Sequence, residues 1–196
     1  EAGEADITIV DTDFIGNMAV HGGGLQARLS QVSITGSEFH GNYAEHSGAI
    51  EVSSSVVDVT STNVESNTAR SNAGIGSASS TMVWNGGRIV ENTAITGGGG
   101  VGLSGDGSDV VEFKSTIFSD NYGQAGVVLA SGGVLVLRGV RAVGNDGHTA
   151  SGAELQWTGE LHVFSSEIFD FEVKTDLGTE IITGASTTCT AGGGCD

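Results

Sequence analysis

Apolar and polar residues alternate from the first positions of the chain. Ile7 and Ile9 flank Thr8, Val32 and Ile34 flank Ser33, and Val57 and Val59 flank Asp58. Met82 with Trp84, Val111 with Phe113 and Leu135 with Leu137 continue the same two columns. Alternation with period two marks a short strand that buries one face. Each of these strands leads to an asparagine: Asn17, Asn42, Asn67, Asn92, Asn121 and Asn145, at successive intervals of 25, 25, 25, 29 and 24 residues. A fixed interval of this size is the signature of a solenoid. The longest interval takes up an inserted loop around "SGDGS".

Further columns appear when the chain is aligned on the asparagines. Three positions before them stand Phe14, Phe39, Val64, Ile89, Phe118 and Ala142, and two positions after them Ala19, Ala44, Ala69, Ala94, Gly123 and Gly147. Past a glycine patch, Leu25, Ile50, Ile75, Val101 and Val128 begin another apolar stretch. No helix-capping residue precedes an apolar run of helical period. The pattern predicts an all-β chain, a parallel β-helix of about seven coils with three short strands per coil. The last coil is degenerate: it runs through "LHVFSSEIFDF", with Phe171 in the asparagine's place. The solenoid is expected over residues 1–184, followed by a Gly/Thr-rich tail over 185–196.

The asparagines themselves read as corners. Asn tolerates the left-handed conformation and bonds neighbouring backbone, and stacked amides can form a ladder. The glycines are expected to supply the positive φ of the next corner.

Composition narrows the field of partners. With 24 acidic and 7 basic residues the net charge is −17, which disfavours nucleic acid and anionic lipid. The 33 glycines without a proline, beside 38% hydrophobic residues, fit many tight turns rather than a disordered linker. No apolar run approaches the roughly 18 residues of a membrane span, so direct membrane insertion is not expected. The start shows no basic-then-apolar leader, and the chain reads as a mature fragment or an excised domain. Cys189 and Cys195, the two cysteines, close "CTAGGGC". Their spacing suggests a small disulfide loop and an oxidising compartment, with free thiols or a metal site as the other readings.

The paired motifs "FIGN"/"GGGL", "FHGN"/"SGAI", "VESN"/"NAGI", "IVEN"/"GGGV" and "FSDN"/"AGVV", with the looser "AVGN"/"SGAE", carry a family resemblance. From residue 7 to about 157 they resemble the FxxN and GGA[ILV] repeats of the chlamydial polymorphic membrane proteins and related bacterial surface β-helix proteins. The resemblance implies a right-handed parallel β-helix displayed on or released from a bacterial surface, with adhesin or passenger roles.

A polysaccharide hydrolase needs converging carboxylates, yet Asp11 and Asp13 lie over five coils from Asp146 and His148. A lyase-like calcium site would need several oxygens beside a base, and only Asp120, Arg138 and Arg141 gather in sequence. His21 and His46 share one column and are read as surface residues. Asp106 and Asp109 form a loose calcium loop, with a solvated turn as the competing reading. An ice-binding array would need stacked threonines, and Thr35, Ser37, Thr60 and Thr62 supply two rungs before Lys114 and Arg138 interrupt. Trp84 aligns with the core. Trp157, Tyr43 and Tyr122 are candidate contacts for a glycan or protein.

The resulting expectation is a non-catalytic extracellular β-helix, a surface passenger or spacer scaffold with no cofactor. It would meet an extracellular protein or glycan partner as a monomer or as part of a larger chain. The alternative is a carbohydrate-active enzyme or carbohydrate-binding module.

Overall fold

The computed structural model describes residues 5–104, 108–156, 160–169, 173–175, 180–183 and 188–190. The first coil consists of β1 (Ala5–Val10), β2 (Asp13–Ile15), β3 (Met18–His21) and β4 (Leu25–Arg28). Each later coil lays its strands on those of the coil before, always in parallel. Ile7 pairs with Val32 and Val32 with Val57; Phe14 pairs with Phe39 and Phe39 with Val64. The result is a right-handed parallel β-helix. Among the described residues its four sheets contain eight, eight, six and seven strands, led by β1, β2, β3 and β4 respectively.

Each complete coil thus has four strands where the sequence suggested three. The apolar residue before each asparagine and the alanine after it lie on different sheets, because the chain turns at the asparagine between them. Among the described residues six coils carry all four strands; Glu160–Phe164, Glu167–Phe169 and Val173–Thr175 begin a seventh. Thr188–Thr190 then pairs with Glu167–Phe169, so the second sheet continues past residue 184, where a separate tail was expected. Phe171 lies outside the described residues.

Inward columns from the first, second and fourth sheets meet in one core. Ile34, Phe39, Ile50, Ile75, Trp84, Phe113, Phe118, Leu135 and Leu137 are all buried there. Phe14 and Phe39 stack with near-parallel rings and centroids 4.6 Å apart, and Phe113 meets Phe118 edge-on at 5.0 Å. Both are favoured aromatic arrangements. Trp84 donates its indole N–H to the Gly86 carbonyl at 2.8 Å, which satisfies its polar group inside the core.

The corner conformation differs from the sequence-based expectation. The residue with positive φ is the one before each asparagine: Gly16, Gly41, Ser66, Glu91, Asp120 and Gly144. The asparagine keeps an ordinary φ and supplies hydrogen bonds. Within the glycine patches, absence of a side chain matters most for close approach. A Cβ on Gly48 would come within 2.4 Å of the Ala73 carbonyl oxygen in the next coil, so the stacked backbones admit only glycine there.

Candidate functional site

The residues that repeat most regularly face inward. Asn67 is fully buried. Its backbone N–H and its Nδ2 both donate to Asn92 Oδ1, at 3.0 and 2.9 Å, and Nδ2 also donates to the Phe39 carbonyl at 2.9 Å. Its Oδ1 accepts the same two bonds from Asn42. Asn17, Asn92, Asn121 and Asn145 extend this amide ladder over six coils.

Two further ladders occupy other corners, and the sequence reading missed both. The backbone N–H of Ser30 donates to Ser55 Oγ and that of Ser55 to Ser80 Oγ. Thr12 likewise donates to Ser37 Oγ, and Ser37 to Thr62 Oγ1. Ser37 and Thr62 are therefore buried corner residues, and the outward threonine array is reduced to Thr35 and Thr60. The signal was present in the sequence, since Ser30, Ser55 and Ser80 are spaced by 25 residues, like the asparagines.

Asp109 belongs to the serine corner as well. Its side chain is buried; Oδ1 accepts from Ser77 Oγ at 2.8 Å and from the Ser80 N–H at 2.9 Å, and Oδ2 from the Ser79 N–H at 3.1 Å. A carboxylate whose two oxygens are engaged by protein donors is a poor calcium ligand, which corrects the reading of Asp109 as a cation residue. Asp106, Trp157 and Cys195 lie outside the described residues, and with them the calcium loop and the Cys189–Cys195 pairing. Cys189 itself is on the Thr188–Thr190 strand.

Outward side chains form the candidate binding surfaces. On the third sheet, Met18, Tyr43, Thr68, Thr93 and Tyr122 make one column. Met18, Tyr43 and Tyr122 are exposed there, as are Val20 and Ile95 on the same sheet. Tyr122 meets His148 edge-on, with its hydroxyl 3.3 Å from Nδ1. His21 and His46 stack at 4.9 Å; His21 Nδ1 reaches Glu51 at 3.1 Å and His46 Nδ1 reaches Ser71 Oγ at 3.0 Å. A small recess at the seam with the fourth sheet lies beside them, lined partly by Asn72, Gly76 and Ser104.

The first sheet carries an ion cluster. Glu112 bonds Lys114 at 3.0 Å and Arg138 at 2.7 Å, and the Arg138 guanidinium lies 4.3 Å from the centre of the Phe164 ring. Burial acts to raise the Glu112 pKa, but the hydrogen bonds and charges of Lys114 and Arg138 together hold it below its ordinary 4.5. Nearer the start of the same sheet, Asp6, Thr8, Gln31, Ser33, Val56 and Asp58 line a shallow open trough. On the second sheet, Glu38, His40, Glu65 and Arg88 gather on adjacent strands.

The catalytic pairings weighed from sequence do not come together. Asp13 is on the first strand of the second sheet, whereas Asp146 and His148 lie on the sixth coil's strand of the third. Arg138 is held by Glu112, and Arg141 approaches Glu167 at 3.8 Å. No helix of the described residues is long and apolar enough to cross a membrane.

A family model described as "Right handed beta helix region" matches residues 2–166. The chain belongs to the right-handed β-helix family. Comparison with the curated proteins and with the solved structures found no match. The right-handed β-helix match spans the six complete coils and ends within the seventh, so it covers the ladders and every outward cluster described above.

Proposed function

We propose that this right-handed β-helix is a non-catalytic binding and spacer module of the extracellular or cell-surface kind. It resembles the passenger repeats of the chlamydial polymorphic membrane proteins and related adhesins. The observation that carries the reading is the third sheet's outer face. Tyr43 and Tyr122 stand three coils apart in one column, about 14 Å at the usual strand spacing. Met18, Val20 and Ile95 expose apolar surface on the same sheet. Aromatic residues with a polar tip on a hydrogen-bonded sheet suit a glycan or protein partner, because their backbone is already held in place before contact. The ladder residues are engaged in stacking the coils, which leaves recognition to these outward columns.

A second reading, a carbohydrate-active module, is favoured by the trough on the first sheet. There Asp6 stands beside Gln31, and Asp58 ends a row with Thr8 and Ser33, polar groups that could hydrogen-bond sugar hydroxyls. Incubation with acidic and neutral polysaccharides separates the two readings. The binding reading expects no new reducing ends or unsaturated products, and retention on a glycan or protein surface that is lost in the Tyr43→Ser, Tyr122→Ser double variant. Turnover abolished by Asp6→Asn or Asp58→Asn would establish the second.

A further inference from the structure

Glu38 and His40 point outward from the same strand of the second sheet, and the next coil places Glu65 beside His40 and Asn63 beside Glu38. Ligand atoms of Glu38, His40 and Glu65 all lie within 4.8 Å of one another. An independent feature is the state of the imidazole. His40 Nδ1 is shielded from solvent and has no hydrogen-bond partner, although the ring as a whole is about half exposed. Its nearest carboxylate oxygen, Glu38 Oε1, is 3.9 Å away, too far for a hydrogen bond. A shielded nitrogen without a partner is costly and calls for a specific occupant.

We infer that Glu38, His40 and Glu65 form a binding site for a divalent first-row transition-metal ion. One imidazole nitrogen and two carboxylates are an N/O donor set suited to zinc and its neighbours, whereas calcium prefers oxygen alone. Ions of this kind sit about 2.0–2.2 Å from each donor, which places the donors roughly 3–3.6 Å apart. All three groups project from paired strands, so side-chain rotation is the movement that binding asks of them. Arg88 Nε bonds Glu65 Oε1 and orients that carboxylate, leaving Oε2 for the ion. The other coordination positions open outward, where Glu38 and His40 are 41% and 45% exposed. The ion would tie two adjacent coils together from outside, at a point remote from the tyrosine column on the third sheet.

The test is calorimetric titration of Zn²⁺ into the chelator-treated chain, with Glu38→Gln, His40→Ala, Glu65→Gln and His46→Ala variants in parallel. The site predicts one equivalent bound in the parent and in His46→Ala. That equivalent should weaken by more than about tenfold when any of the three ligands is replaced. Zn²⁺ should also perturb the His40 imidazole resonances in the unmodified chain, a readout that does not depend on any variant folding. Absence of saturable binding would overturn the site. So would an equivalent that survives His40→Ala, or that is lost in His46→Ala instead.

Discussion

Asn67 gives two hydrogen bonds to a single oxygen, Asn92 Oδ1, one from its backbone N–H at 3.0 Å and one from its side chain at 2.9 Å. That oxygen belongs to the next coil, so each asparagine fixes the spacing of two coils. Asn67→Ala removes the acceptor for Asn42 and the donor for the Phe39 carbonyl. Orphaned buried groups cost about 1–3 kcal/mol each. Denaturant unfolding should show a loss toward the upper part of that range. Asn67→Asp should cost more at neutral pH, because it sets a carboxylate oxygen against two acceptors.

Two glycines separate conformational from steric cost. Gly41 has φ +62° and open space where a Cβ would stand. Gly41→Ala should therefore cost about 1–2 kcal/mol, the left-handed penalty alone. Gly48→Ala drives a methyl into the Ala73 carbonyl and should cost distinctly more, with loss of soluble folded protein as the extreme outcome. Equal melting shifts for the two variants would contradict the close-approach argument.

Asp109 offers a test of the serine corner. Asp109→Ala strands the donors of Ser77, Ser79 and Ser80, and bonds to a charged acceptor are worth about 1.5–3 kcal/mol each. The melting midpoint should fall by several degrees, while added Ca²⁺ leaves Asp109 and its three donors unaffected. A calcium-dependent chemical-shift change centred on those four residues would contradict this role.

Glu112 predicts a pH dependence with a definite sign. Its folded pKa lies below the ordinary 4.5, so the charged form is favoured by folding. The stabilisation is present above that ordinary value and disappears as pH falls through the lower folded value. The melting difference between the parent and Glu112→Gln should be largest near neutrality and close to zero once Glu112 is protonated. Added salt should shrink it, because Lys114 and Arg138 are about half exposed.

Much of this architecture was legible because a solenoid writes its geometry as a period. Ile7, Val32 and Val57 are one period apart and stack in register. The fourth strand was not legible. On its first four strands the inward residue of the third sheet is a single alanine, and four residues are too few to show alternation. Ser37 and Thr62 were misplaced because a hydroxyl that bonds backbone inside a corner looks, in sequence, like a solvated one. Asp109 misled for a related reason: the insertion before it hid its alignment with Ser80. The Glu38–His40–Glu65 cluster was invisible because each residue is ordinary in its own coil. Only the stacking of one coil on the next brings the three together.

The central claim is that the recurring asparagines are buried rungs that hold the coils together. Side-chain amide hydrogen exchange, followed by NMR in the intact chain, tests it most directly. The account predicts slow exchange for the Nδ2 protons of Asn42, Asn67, Asn92 and Asn121, with the exposed Asn85 side chain exchanging freely as the internal control. Exchange of the four at the rate of Asn85 would show that they face water, and the ladder would have to be abandoned.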